Sequence, residues 1–370
     1  MDIGERLKTA RKTIGYTLKK AHLESGIGES SLCAFEKGER EPKFSQLSKL
    51  AEIYRKQIEF FLTDEPIIKD LMLWRDEPDT NEERKKTEAE FRQLCEQYRK
   101  LEILMDEVKE PNLPTPDVKE AEGFDYKQAE KFARKVCQTW FCPGDIPITS
   151  LKHILEERCY VKIFYLDFSG SSISLLSDQF GPAILLNEKN TQWRRSFDLA
   201  HELFHLLTWK IFRTQKPDDF IANQNEEKLA NAFASRLLMP EESIKERVEP
   251  NLNEKGQISF DQLDNIAREF DVSLMAMIYR IAGVYRFKKE DTEKYVAAAE
   301  GYRNFLKPRS SYKPNKFPER YCDLAQRALR EGKLSLIQFA KYMGIGYKKA
   351  QEYLAEDKEF TDEKISISVA

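Results

Sequence analysis

The sequence predicts a multidomain, mainly α protein that contains one α+β domain. Its 370 residues exceed the roughly 100 to 200 residues of an ordinary domain, so two or three domains are expected. Apolar residues recur at helical spacing along most of the chain, and Gly and Pro mark the breaks between short helices. Short runs of β-branched and aromatic residues between positions 160 and 187 indicate a few strands.

The composition is that of a charge-rich globular protein, with 33% charged and 41% apolar residues. The chain lacks an apolar secretory run at its start and any apolar stretch long enough to cross a bilayer, so a cytoplasmic location is expected. Six scattered cysteines form no CxxC pair and are expected to be reduced thiols. A net charge of −3 excludes a protein that coats nucleic acid with its whole surface, although basic residues cluster near the N-terminus.

Residues 1–65 are expected to form an all-α domain. Turn residues such as Gly15, Gly38 and Pro42 separate its short helices, and apolar residues recur at helical spacing within them. The predicted helices cover residues 3–13, 18–23, 29–35, 44–54 and 57–62.

Residues 66–118 are expected to form a helical linker. One long helix is predicted over residues 81–110, ending before Pro111. Apolar residues follow it in a heptad stripe that consists of Phe91, Leu94, Tyr98, Leu101, Met105 and Val108. This stripe fits either packing against the chain's own core or a coiled-coil contact that would make a homodimer.

Residues 119–285 are expected to form the α+β domain, and residues 286–370 a helical C-terminal region. The order helix, helix, strands, helix, helix favours a small sheet against a helical layer. Strands are predicted over residues 160–166, 171–176 and 183–187, between helices over residues 124–140, 151–157, 193–209 and 226–238. Further helices are predicted over residues 260–270, 273–281, 319–331, 335–343 and 347–354.

The clearest chemical signal is the run from His201 to His205, which reads His-Glu-Leu-Phe-His. Two histidines four residues apart lie on one face of a helix, so both imidazoles can reach one Zn²⁺ ion while Glu202 lies beside them. Zinc activates a water molecule, and Glu202 could take its proton as a general base. A purely structural role is disfavoured, because two unpartnered imidazoles buried on this apolar helix would be costly.

A catalytic zinc site usually takes a third protein ligand. Glu227 is the best candidate, because its helix continues through small residues that allow a close approach to the histidine helix. Glu226 is the main competitor, and both glutamates could instead simply favour a helix N-terminus. Asn231, one turn further on, could hydrogen-bond a zinc-binding histidine and orient it.

These motifs resemble the ImmA/IrrE family of zinc metallopeptidases over roughly residues 120–285. The resemblance rests on the run from Arg194 to His205, on the run from Glu227 to Ala234, and on Leu237-Leu238-Met239-Pro240, in that order.

The resemblance implies a zincin-like metallopeptidase domain in which His201, His205 and Glu227 bind Zn²⁺ and Glu202 is the general base. It further implies cleavage of one regulatory protein, a repressor or antitoxin-like target in a stress, phage or mobile-element response. Phe204 departs from the family, many of whose members have Gly there, and we expect it to crowd the metal pocket.

The N-terminal domain resembles the Xre/Cro-type helix-turn-helix family through residues 3–11, residues 29–38 and Pro42. The resemblance implies that the third helix enters the major groove of double-stranded DNA, with polar side chains at base edges and cations at phosphates. The expected DNA-binding residues are Glu29, Ser30, Ser31, Cys33, Lys37, Arg40 and Lys43. A helical docking module without a DNA target is the alternative.

Three functions fit the sequence. The first is a DNA-binding transcriptional regulator whose zinc-dependent endopeptidase domain cleaves a regulatory protein. In the second, the zinc domain senses a ligand or partner protein without cleaving, which the presence of Glu202 argues against. In the third, both domains mainly bind another protein.

Overall fold

The computed structural model describes residues 3–63, 71–76, 78–118, 121–213, 222–302 and 312–360. These residues form a helical N-terminal domain and a small four-stranded sheet that helices cover on both faces. The predicted multidomain, mainly α architecture with a small sheet is confirmed. Within the described part of the chain, no helix combines the length and the apolar character needed to cross a membrane.

Five helices enclose the core of the N-terminal domain, in which Leu7, Phe35 and Leu50 are almost fully buried. They are α1 (Ile3–Thr13), α2 (Leu18–Ser25), α3 (Glu29–Glu36), α4 (Phe44–Ile53) and α5 (Glu59–Leu62). The Thr17 side chain caps the start of α2, and Gly26 ends that helix in the left-handed region at φ 68°. This ending produces the tight turn that leads into α3.

The sheet has the strand order β1-β3-β4-β2, in which β2 and β4 are parallel and the other neighbours are antiparallel. Its strands are β1 (Met72–Arg75), β2 (Lys162–Leu166), β3 (Ser172–Ser177) and β4 (Gly181–Asn187). The sequence did not predict β1, because four residues are too few to show an alternating pattern. Residues 66–118 therefore contribute an edge strand to the sheet instead of only a linker.

One face of the sheet carries Ile163, Ile184 and Leu186, which share a core with the helices that follow residue 121. Side chains alternate along a strand, so the same strands present a second set of side chains to the opposite face. The helices of the first face are α7 (Tyr126–Trp140), α8 (Ile148–Glu157), α9 (Gln192–Phe212), α10 (Gln224–Leu238), α11 (Glu241–Val248), α12 (Phe260–Glu269), α13 (Leu274–Val284) and α14 (Lys289–Tyr302).

The opposite face carries Phe164, Ile173 and Leu185, which form a separate core with helices from both ends of the domain. These helices are α6 (Asn81–Leu104), α15 (Glu319–Arg330), α16 (Leu336–Met343) and α17 (Tyr347–Phe360). The C-terminal helices, expected to form a region of their own, therefore complete the sheet domain.

Helix α6 is shorter than predicted, and its heptad stripe faces the chain's own core. It ends at Leu104 because Asp106 takes a left-handed conformation at φ 56°, before Pro111 is reached. The stripe residues within the helix, from Phe91 to Leu101, are buried against the sheet, whereas Val108 lies beyond the helix and is 43% exposed. Of the two alternatives for this stripe, intramolecular packing is the one that the structure adopts.

Candidate metal centre

Two neighbouring helices, α9 and α10, bring the sequence-predicted metal ligands together. Leu203 and Phe204 bury α9 in the core, so that His201 and His205 are themselves 0% and 2% exposed. The side chain of Asn223 accepts hydrogen bonds from the first turn of α10 and fixes where that helix begins. Small residues further along α10 let the two helices pack closely, as the sequence suggested.

The potential ligand atoms of this site converge on one point. The Nε2 atoms of His201 and His205 lie 3.2 Å apart. The two carboxylate oxygens of Glu227 lie 3.2 Å from His201 Nε2 and 3.4 Å from His205 Nε2. All three ligand atoms lie within 4.8 Å of one another, and this arrangement could hold a metal ion.

The outward-facing nitrogen of each histidine has its own acceptor. His201 Nδ1 lies 3.0 Å from Asn231 Oδ1, and His205 Nδ1 lies 3.0 Å from Glu226 Oε1. Because a carboxylate and an amide oxygen only accept, both Nδ1 atoms carry a proton, and Nε2 is the nitrogen of each ring that faces the convergence point. Glu226, the competitor of Glu227 in the sequence, therefore lies behind His205, where Arg213 also contacts it.

Glu202 is buried beside the histidines and has only one of its two oxygens engaged. Ser172 Oγ of β3 donates to Glu202 Oε1 at 2.7 Å. No described residue hydrogen-bonds Glu202 Oε2, although that atom is buried. Burial raises the pKa of Glu202 above its usual value, and the opposite effects of His205 and of the Ser172 and Ser174 hydroxyls do not cancel this. The free oxygen is the one that could accept a proton from a water molecule.

The charges in the cluster shift the pKa values of its members in opposite directions. Burial lowers the pKa of His201 to about 4, so its imidazole is neutral. Burial acts in the same direction on His205, but hydrogen bonds to Glu226 and Glu227 outweigh it and raise the pKa of His205 to about 9. Burial would raise the pKa of Glu227, and the two histidines lower it below its usual value.

An arginine that sequence reasoning missed reaches the same site from β1. Arg75 Nη1 lies 2.7 Å from Asp198 Oδ1, and Arg75 Nη2 lies 3.4 Å from Asn231 Oδ1. Arg194 also pairs with the buried Asp198, at 3.0 Å. The i,i+4 spacing of Arg194 and Asp198 was a detectable signal, but nothing local links Arg75 to a helix more than a hundred residues away.

The cleft over the metal centre has a volume of about 450 Å³, and Arg75, Arg194, Glu227 and Asn231 line it. Phe204, which was expected to crowd the metal pocket, does not line this cleft, but its ring meets that of the ligand candidate His205 edge-on, with centroids 5.8 Å apart. It also packs in an aromatic cluster, with ring centroids 5.7 Å from Phe124, 5.6 Å from Phe233 and 6.2 Å from Phe212.

The residues expected to bind DNA lie on and just after α3. Leu32 and Phe35 bury one side of α3, and an ion pair between Arg11 and Glu36 joins its end to α1 at 2.5 Å. The other side carries the expected polar residues. Those that are exposed are Glu29, Ser30, Lys37, Arg40 and Lys43, and those that are half-buried are Ser31 and Cys33.

Fold and sites together define a chain with a helix-turn-helix domain in front of a domain with a candidate metal centre. Each of these two domains matches a known protein-family model. Residues 7–61 match a helix-turn-helix family model, and residues 156–282 match the peptidase M78 model that describes the IrrE N-terminal-like domain. The chain therefore carries an Xre-type helix-turn-helix domain and an IrrE-type domain.

One curated relative is the HTH-type transcriptional regulator ImmR of Bacillus subtilis strain 168, which is 35% identical over 69 residues. That match covers 19% of this chain and 54% of the relative, so the chain spans about half the length of the curated relative it matches. A solved structure of a Mycobacterium tuberculosis transcriptional regulator aligns at 13% identity and a TM-score of 0.31, over 51% of each chain.

Proposed function

We propose that this protein is a DNA-binding transcriptional regulator whose IrrE-type domain is a zinc-dependent endopeptidase that cleaves a regulatory protein. The observation that carries the enzymatic part is the convergence of two histidine Nε2 atoms and the Glu227 carboxylate, next to a buried glutamate with one free oxygen. A histidine, histidine and carboxylate set is typical of catalytic zinc sites.

The hydrogen bonds that the two histidines make through Nδ1 are also those expected of zinc ligands. Metal-binding histidines usually donate their second ring N–H to a carboxylate or a carbonyl-type oxygen, as His205 does to Glu226 and His201 does to Asn231. A zinc ion bound here would polarise the scissile carbonyl and lower the pKa of a water molecule. The DNA-binding part is supported by the helix-turn-helix domain and by its 35% identity with a transcriptional regulator.

The chain's own residues would then move one proton. Glu202 Oε2 takes the proton from the attacking water and later gives it to the leaving amine. Ser172 holds the other oxygen of Glu202, so the carboxylate keeps one orientation during both transfers. Arg75 adds a fixed positive charge to the cleft wall, where Asp198 holds it in place.

Metal content tests the proposed zinc site first. We expect one zinc ion per chain in protein purified without added zinc, and its loss from both His201→Ala and Glu227→Ala. Glu254→Ala, at an exposed glutamate, serves as the control and keeps the metal. A wild-type chain that binds no zinc, even when zinc is supplied, would exclude the enzymatic function.

Cleavage is tested by comparing new protein N-termini in cells that express the wild type or Glu202→Gln. We expect specific new N-termini only with the wild type, while the variant keeps its zinc and its binding to duplex DNA. Glu254→Gln is the matched control and should cleave as the wild type does. Cleavage by Glu202→Gln would contradict the role of Glu202 as the base, whereas zinc without cleavage in the wild type would favour the sensing alternative.

A further inference from the structure

A second cavity, of about 650 Å³, lies where α7, α10, α11 and α13 meet. Its volume is in the range of small-molecule sites. It shares no described lining residue with the metal cleft, so it is a separate feature of the domain. The residue that distinguishes it is Arg280 of α13, which lines the cavity although it is only 8% exposed.

The guanidinium of Arg280 has unused hydrogen-bond donors. Its Nε donates to the backbone oxygen of Met239 at 2.7 Å. Among the described residues, no carboxylate pairs with Arg280, and none supplies a hydrogen-bond acceptor for its two terminal nitrogens. Neither terminal nitrogen is among the fully buried side-chain atoms without a partner, so both reach the cavity, where an oxygen of a bound ligand could replace water.

The acidic residues nearest to Arg280 are engaged elsewhere. Glu130 pairs with Arg236, and Glu241 pairs with Lys245 at 2.6 Å. The Nε of Arg236 is itself buried and lacks a hydrogen-bond partner among the described residues. Burial and the charge of Arg236 lower the pKa of Arg280 to about 10, so the side chain is still charged at neutral pH.

The remaining lining charges limit the kind of anion that fits. Arg134, Asp145 and Glu242 line the same cavity and are exposed. The two carboxylates outnumber the one additional cation, so they would disfavour a ligand that carries several negative charges. A single oxyanion group can instead lie against Arg280, whose planar fork suits two parallel hydrogen bonds to carboxylate or phosphate oxygens.

We propose that this cavity binds a small ligand through one oxyanion group, a carboxylate or a phosphate, that Arg280 holds with its two terminal nitrogens. The site is independent of the peptidase function, because it uses other residues and another cavity.

Thermal unfolding of the zinc-loaded full chain tests the site with two probes, inorganic phosphate and acetate, each compared with sodium chloride at equal ionic strength. At about ten times its dissociation constant, a bound probe should raise Tm by roughly 2 to 4 °C in a saturable way. A response to phosphate alone assigns a tetrahedral group, and a response to acetate alone assigns a planar one. If neither probe raises Tm above the chloride reference, the proposal is wrong.

Variants connect the response to Arg280. Arg280→Lys keeps the charge but loses the fork, so the half-saturating probe concentration should rise at least about tenfold. Arg158→Lys, at an exposed arginine directly after α8, should respond as the wild type does. Arg280→Gln removes the charge and one of the two terminal donors and should abolish the response, which keeps the test decisive if Arg280→Lys does not fold.

Two further outcomes decide against the proposal. An unchanged half-saturating concentration in the folded Arg280→Lys variant, or in Arg280→Gln if only that variant folds, would place the anion elsewhere. A response that disappears in Glu227→Ala would show that the probe binds at the metal centre. We expect the response to persist in Glu227→Ala, because Glu227 does not line this cavity.

Discussion

At the scale of single residues, the metal centre depends on the hydrogen bonds that the two histidines make through Nδ1, the ring nitrogen that faces away from the metal position. An imidazole can bind a metal only through a nitrogen that has no proton. The hydrogen bonds of His201 to Asn231 and of His205 to Glu226 hold a proton on each Nδ1, so Nε2 is the nitrogen that each ring offers to a metal. His205, whose pKa is raised to about 9, would release its Nε2 proton when a metal binds. The two contacts differ in charge, since one acceptor is a neutral amide and the other a carboxylate held by Arg213.

Asn231→Leu should weaken zinc binding without changing the three ligands. The substitution removes the acceptor of His201 Nδ1–H and one partner of Arg75, and loss of such an outer contact typically costs about 10- to 100-fold in metal affinity. Competition with a chromogenic chelator measures the change. The control is Asn225→Leu at an exposed position of the same helix, and equal losses in both variants would contradict the role of Asn231.

Residue spacing within one helix was the part of the site that the sequence could predict. His201, Glu202 and His205 are related by helix geometry alone, so no tertiary information was needed. Glu226 and Glu227 both lie in the first turn of α10, and only the packing of α10 against α9 determines which of them points at the ligand atoms. Arg75 was not predictable, because the pairing of β1 with β3 brings it to the site.

At the scale of secondary structure elements, α6 illustrates why one apolar stripe fits two arrangements. The heptad pattern specifies an apolar face and not the surface that covers it. Here the covering residues include Phe164 of β2 and Tyr321 of α15, whose rings lie 6.2 and 5.4 Å from that of Tyr98. Both partners come from distant parts of the chain, so the pattern of α6 alone could not specify them.

Phe91→Ala should destabilise the sheet domain strongly and leave the oligomeric state unchanged. Phe91 is fully buried between α6 and the sheet, and truncation of a buried Phe typically costs about 3 to 5 kcal/mol. Urea unfolding followed by tryptophan fluorescence measures the loss. Val108→Ala, at the exposed end of the same stripe, should change the free energy of unfolding by less than about 0.5 kcal/mol. Dissociation of a dimer by Phe91→Ala would instead support the coiled coil.

At the scale of the whole molecule, the N-terminal domain joins the sheet domain through a mainly polar contact. Lys56 pairs with Glu96 at 3.0 Å, and Lys100 pairs with Glu59 at 3.1 Å. Among the described residues, Ala89 of α6 is the only buried apolar member of the N-terminal core that comes from outside that domain. A contact of this kind contributes little to stability, so the two parts are expected to unfold separately.

Removal of the metal should therefore lower the stability of the sheet domain and leave DNA binding unchanged. A metal that binds only the folded domain stabilises it by about 2.7 kcal/mol at 100 times its dissociation constant, and a chelator removes this contribution. Tryptophan fluorescence reports on the sheet domain alone, because Trp74, Trp140, Trp193 and Trp209 all lie outside residues 3–63. Fluorescence anisotropy with duplex DNA at low salt reports on the helix-turn-helix domain. His201→Ala is the control, and in this variant the chelator should change neither the tryptophan fluorescence nor the DNA anisotropy. If the chelator lowers both the stability of the sheet domain and the DNA binding of the wild type, the two domains behave as one unit.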